Sequence, residues 1–241
     1  MAQSDHAALA ARIMRAWTTG TLPTRPTREA VLFATAHHDI GWDAEDAAPS
    51  VDPSSGRPWD FISIPVARRH AVWHRALAAL APRSTYAAAL VAQHALTAYR
   101  RFQHDPEWTA FFSAMEQARD HWYGAETRPD GSSGGTLDPQ GTDRLQFLSD
   151  YGTLRLGDVA SLVICNGWTG PHEQEATHLR LEGDTLVITP DPFGGRVIDL
   201  DVPARRIAAR RYVSDDDLRA AWAAAPIEAF RATMRGADHA P

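Results

Sequence analysis

The run His37-His38-Asp39 sets two imidazoles and a carboxylate side by side. Imidazole and carboxylate are both good ligands for first-row divalent metals. Adjacent donors at one helix end can share an ion when other helices supply the rest. His38 continues the apolar line of Val31, Ala34 and Thr35, so it points inward, and Asp39 sits at the same helix end. His6 lies on the face of Ala10, Ile13 and Met14 in an earlier helix. His94 follows Tyr86 and Leu90, with Val91, Ala95 and Ala98 beside it. Asp158 falls on the line Tyr151, Leu154, Leu162, Cys165. An aspartate in the middle of an apolar face is costly unless it is paired or binds a metal. Asp150 falls off that line and ranks second as the last ligand.

Other residues have chemistry but less placement. His70 and His74 are four apart and share a helix face. Arg68, Arg69 and Arg75 surround them, which favours a solvated face for at least one. His94 can also be read as a satisfied core histidine. His37 adjoins the ligand pair on another face, as a general acid, as a support for a ligand or as simple surface. Arg57 offers a guanidinium suited to phosphate or carboxylate, or is an ordinary loop arginine. Trp42 and Trp59 flank a long loop, where they either wall a pocket or staple the loop to the core. Asp215-Asp216-Asp217 reads as a helix start capped by Ser214 or Asp215, not as a metal site.

These residues need helices to position them, and the periodicity supplies them. Residues 5–17 carry Leu9, Ala10, Ile13, Met14 and Trp17 at helical spacing, and Gly20 ends the run. Thr27 begins a second helix that stops at Gly41. A long loop covers 43–62, and a connection of that length inside a domain is often functional. Helices are predicted at 65–80, 84–103, 107–123 and 143–165, with a Gly/Ser/Asp-rich loop from Asp130 to Gly141. After Trp168 the pattern changes to strands at 178–181 and 185–188, joined by Gly183-Asp184 as a hairpin turn. A third strand is predicted at 197–202 and a fourth at 205–213, before a closing helix over 215–233. The expectation is one domain over 1–241. It comprises a mainly α helical body at 1–168, a small antiparallel β-sheet at 176–213 and the closing helix packed on it.

Composition narrows the class of function. The 241 residues are 44% hydrophobic and 22% charged, which is ordinary for a globular chain. A net charge of −6 gives no basic footprint for nucleic acid. The single cysteine, Cys165, excludes an intrachain disulfide and an all-cysteine zinc site, and reads as core. No stretch approaches the length of apolar sequence that spans a bilayer, and the N-terminus lacks the pattern of a signal peptide. The expectation is a soluble, cytoplasmic protein with a small-molecule substrate, no nucleic acid and no membrane.

The order His6, His38-Asp39, Asp158 on three helices resembles the HD superfamily of metal-dependent phosphohydrolases. The strings His38-Asp39-Ile40-Gly41-Trp42, Asp52-Pro53-Ser54-Ser55-Gly56-Arg57-Pro58, Asp158 to Cys165 and Pro190-Asp191-Pro192-Phe193 are similar to the DUF3891 family of uncharacterised bacterial proteins. That likeness runs from roughly His6 to the C-terminal helix. It implies an HD-domain-like helical bundle and carries no established reaction. Some HD-type proteins hold two metals, with two extra histidines between the His-Asp pair and the last aspartate. Here His70, His74 and His94 occupy that interval. The implied cofactor is one or two divalent ions, Mn, Fe, Ni, Co or Zn. The expected activity is metal-dependent hydrolysis of a phosphate ester, with Arg57 or His37 meeting the substrate. The alternatives are an HD-type di-iron oxygenase, which needs both extra histidines, and a non-catalytic ligand-binding protein with a structural metal.

Overall fold

Helix α1 (Gln3–Arg15) buries Leu9, Ala10, Ile13 and Met14, the stripe expected from their spacing. Helix α2 (Arg28–His37) buries Val31, Leu32, Ala34 and Thr35 and ends one residue before His38. A short turn over Ile40–Trp42 leads into helix α3 (Asp43–Ala47). Then follow α4 (Val66–Leu80), α5 (Thr85–Ala98), α6 (Thr109–Glu126) and α7 (Thr142–Asn166). This computed structural model describes residues 1–126 and 142–237, so the predicted loop from Asp130 to Gly141 lies outside the described residues.

Helix α5 is the centre of the body. Ser84 caps it by accepting from the Ala87 amide at 3.1 Å. Nearly every side chain from Tyr86 to Leu96 is buried, and the helix packs on α2, α4, α6 and α7. One apolar cluster surrounds it, including Val31, Trp73, Leu77, Leu90, Trp108, Phe111 and Leu154. A second cluster joins α1 and α7 to the sheet through Leu9, Ile13, Val163, Leu179, Ile188, Leu200 and Met234. Helix α7 borders both clusters, so residues along it see helices on one side and the sheet on another.

The sheet corrects the sequence expectation. It has five strands, β1 (His172–Gln174), β2 (Thr177–Glu182), β3 (Thr185–Thr189), β4 (Ile198–Arg205) and β5 (Ile227–Gly236), in the order β1-β2-β3-β5-β4. It is mixed rather than small and antiparallel, because β3 and β5 run parallel, with Thr185 opposite Thr233 and Ile188 opposite Gly236. The hairpin turn at Gly183-Asp184 forms as expected, with Glu182 paired to Thr185 and Gly183 at φ +59°. The closing helix is shorter than 215–233. It is α8 (Asp215–Ala224), capped by Ser214 accepting from the Asp217 amide. Pro226 pushes Ala225 into an extended conformation, φ −71° and ψ 129°, and the chain leaves as a strand. Ala232, Met234 and Gly236 then alternate inward at the strand period. The stretch 205–213 is not a strand beyond Arg205.

Among the described residues, no helix is long and apolar enough to cross a membrane.

Candidate metal centre

Two glycines let the helices meet closely enough to bring ligands together. A Cβ on Gly41 would lie 1.9 Å from the Val72 carbonyl oxygen, so the turn after Asp39 sits directly on α4. A Cβ on Gly157 would lie 2.8 Å from Met14 Cγ and 3.2 Å from both the Ala10 oxygen and Thr35 Cγ2. Gly157 thus lets α7 press against α1 and α2 at the residue before Asp158. The lack of a side chain at these two positions is a packing requirement.

Five side chains converge at that crossing. His6 comes from α1, His38 and Asp39 follow α2, His94 comes from α5 and Asp158 from α7. His6 Nε2 lies 3.0 Å from Asp158 Oδ1 and 3.7 Å from Asp39 Oδ2. His38 Nε2 lies 3.4 Å from Asp158 Oδ1 and 3.6 Å from Asp39 Oδ2. His94 Nε2 lies 3.7 Å from Asp158 Oδ2. The donor atoms of His6, His38 and Asp39, and those of His38, His94 and Asp158, fall within 4.8 Å of one another. Metal–ligand bonds of about 2.0–2.2 Å separate neighbouring donors by about 3.0–3.5 Å. The observed spacings, 3.0–3.7 Å, reach slightly beyond that range.

The rings are held with lone pairs toward the cluster. His38 Nδ1 donates to the Thr35 carbonyl at 2.8 Å, which leaves Nε2 as the acceptor nitrogen. Ser161 Oγ donates its one proton to the Asp158 carbonyl at 2.8 Å, so it accepts from His6 Nδ1 at 2.7 Å. His6 Nε2 would then offer its lone pair to an ion, while in the ion-free protein it makes a 3.0 Å hydrogen bond with Asp158 Oδ1. Backing of metal-binding histidines by a carbonyl or hydroxyl is how ligand orientation is fixed. His38 Nε2 is buried between the carboxylates of Asp39 and Asp158 and makes no hydrogen bond of good geometry with either. An orphaned acceptor beside donor groups of this type fits a divalent ion.

Without an ion, a proton takes the ion's place. Burial disfavours charge on His38, but Asp39 and Asp158 outweigh it and raise its pKa to about 9. Burial would raise the Asp158 carboxyl, yet His38 and His6 hold it well below the usual carboxylate range. Burial lowers His94 to about 4, offset only in part by Asp158, so its ring is neutral.

The cluster lies in a cavity of about 300 Å³. His6, Asp39, His94 and Asp158 line it, and His38 lies behind them. Trp42, Phe61, Trp73, Tyr99 and Tyr151 form aromatic walls, joined by Gln3, Thr97 and Arg155. Burial pushes the Tyr151 phenol up to about 12, so it stays protonated. Trp42 therefore walls a pocket, while Trp59 lines an adjoining groove.

The structure places the other candidates elsewhere. Asp150 is fully buried but accepts from Tyr86 Oη at 2.7 Å, Arg25 Nη1 at 2.8 Å and Gln146 Nε2 at 2.8 Å. His70 stacks on Phe111 with centroids 4.6 Å apart and meets Trp108 edge-on. His74 is exposed on α4. His37 bonds the Phe33 carbonyl through Nδ1 at 2.8 Å and lies on the Phe33 ring. Arg57 is exposed on a loop closed by the Val51–Pro58 bridge, and neither it nor His37 lines the cavity. Sequence reasoning did not single out Thr35, Ser161 or Arg155 for the site. Ser161 and Arg155 stand three residues either side of Asp158, and that spacing was the available signal.

Comparison with curated proteins and with solved structures yields no match. A family model described as "Protein of unknown function (DUF3891)" matches residues 1–209. That match covers most of the 241 residues, and the chain belongs to the DUF3891 family.

Proposed function

We propose that this protein is a metal-dependent hydrolase, phosphohydrolase-like, acting on a small molecule. The observation that carries the reading is the convergence of His6, His38, His94, Asp39 and Asp158 donor atoms, with His38 Nε2 buried and making no hydrogen bond, at a cavity of small-molecule size. His6, His38, Asp39 and Asp158 would hold one divalent ion, with His94 as a neutral fifth donor. When bound, such an ion supplies Lewis-acid polarisation of an ester oxygen and activation of water at neutral pH. Thr35 and Ser161 keep His38 and His6 in the ligand tautomer. The aromatic walls exclude bulk water from a bound ester, which strengthens every polar contact inside. Tyr151, held protonated, is a hydrogen-bond donor for a substrate oxygen. The positions of His70 and His74, away from the cluster, support one ion rather than two.

The test combines elemental analysis with a phosphomonoesterase assay. We expect protein supplemented with Mn, Fe, Ni, Co or Zn to retain about one ion per chain. It should release p-nitrophenol from p-nitrophenyl phosphate, a chelator should stop the reaction, and His38→Ala should lose both ion and activity. Folded wild-type protein that stays metal-free after supplementation overturns the reading. A loaded protein that hydrolyses neither this ester nor any of a panel of small phosphate esters overturns the hydrolase assignment alone.

A further inference from the structure

On α7, Tyr151, Arg155, Asp158 and Leu162 all line the cavity. Their spacing is four, three and four, a single stripe on one helix face. Arg155 thus stands one turn from the ligand Asp158, and it is an exposed residue of the cavity lining. Histidines apart, Arg155 is the one cationic side chain among the cavity-lining residues. It makes no hydrogen bond or ion pair with any described residue. Among the described residues its guanidinium has no fixed partner, and it lines the same cavity as Asp39 and Asp158. Guanidinium geometry matches phosphate, whose oxygens it can take two at a time. Trp42, Phe61, Trp73 and Tyr99 line the same cavity, and aromatic walls suit a flat apolar group.

We infer that Arg155 is the substrate's anion-binding residue and that the cavity takes a small phosphate monoester bearing a flat ring. The phosphate would lie between Arg155 and the ligand cluster, with the ring against the aromatic walls. This deepens the metal-dependent hydrolase reading and rests on it for the choice of a phosphate over another anion. It also moves the substrate-binding role away from Arg57 and His37, which do not line the cavity.

The test is calorimetric titration of metal-supplemented protein with phenylphosphonate, which carries ring and anion but has no ester bond to cleave, and with inorganic phosphate and benzoate. We expect phenylphosphonate to bind most tightly. Arg155→Gln should weaken it about tenfold or more while leaving the bound metal unchanged, and Arg155→Lys should fall between the two. Removing the ring should also weaken binding, so that inorganic phosphate binds less tightly than phenylphosphonate. Three results overturn the inference: a loaded protein that binds no phenylphosphonate, an Arg155→Gln variant that binds it as tightly as wild type, or a preference for benzoate. If the protein takes up no metal but still binds phenylphosphonate through Arg155, the inference stands and the hydrolase reading falls.

Discussion

Helix α7 carries two buried aspartates, Asp150 and Asp158, and they occupy opposite electrostatic situations. Asp150 is neutralised by the protein. Arg25 gives it an ion pair, and Tyr86 and Gln146 fill its remaining acceptor sites. Asp158 faces three histidines and a second carboxylate, and the buried His38 Nε2 among them makes no hydrogen bond. A buried charge must be matched. Asp150 is matched by a cation of the chain, and its job is to tie the segment before α2 to α7. Asp158 is matched by nothing permanent, only by a proton that a metal ion can displace. Burial alone does not mark a ligand; the partners do.

The largest effects should separate these two aspartates. Asp158→Asn should weaken metal binding by about a hundredfold or more and leave a folded protein. Asp150→Asn breaks a buried ion pair and should cost about 3–5 kcal/mol of stability while the folded fraction keeps its metal. Chemical denaturation and metal titration on both variants check this. An Asp150→Asn protein that is stable but metal-free would reverse the comparison.

A pH effect comes next. In metal-free protein the His38 pKa of about 9 lies above its ordinary 6.5. The imidazolium therefore adds stability that is fully present below pH 6.5 and lost as pH rises through about 9. Chelated protein should melt at lower temperature as pH rises across that window. Metal-loaded protein should lack this loss, since the ion has replaced the proton. A chelated protein whose melting midpoint is flat from pH 6.5 to 9 would contradict the account of His38.

The smallest effect is expected at Ser161. Ser161→Ala removes the acceptor that fixes His6 and should lower metal affinity about tenfold to a hundredfold, with no change in metal stoichiometry. Unchanged affinity would mean that His6 needs no such support.

Much of the site was legible in the sequence because it depends on residue type and helical period. His6, His38 and Asp158 lie on apolar stripes of single helices, and the period also separates Asp158 from Asp150. What it could not show is why Asp150 is buried, since Arg25 reaches it from 125 positions away. The cavity walls were illegible for the same reason. Trp73, Tyr99 and Arg155 come together only when α4, α5 and α7 pack, and Arg57 lies on a loop that does not line the cavity. The helical body followed from strong local periodicity. The sheet did not, because the parallel pairing of β3 with β5 joins segments almost 50 residues apart, Thr185 to Thr233. Residues 227–234, Ile-Glu-Ala-Phe-Arg-Ala-Thr-Met, suit a helix as well as a strand. Only Pro226 marked the change, and tertiary pairing decided it.

The central claim is that His6, His38, Asp39 and Asp158 form one metal site. Anomalous diffraction at the manganese edge, from crystals soaked in Mn²⁺, tests it most directly. The account predicts one peak within about 2.0–2.3 Å of His38 Nε2 and an Asp158 carboxylate oxygen. A fully ordered site with no peak there, or a peak held by other residues, would contradict it.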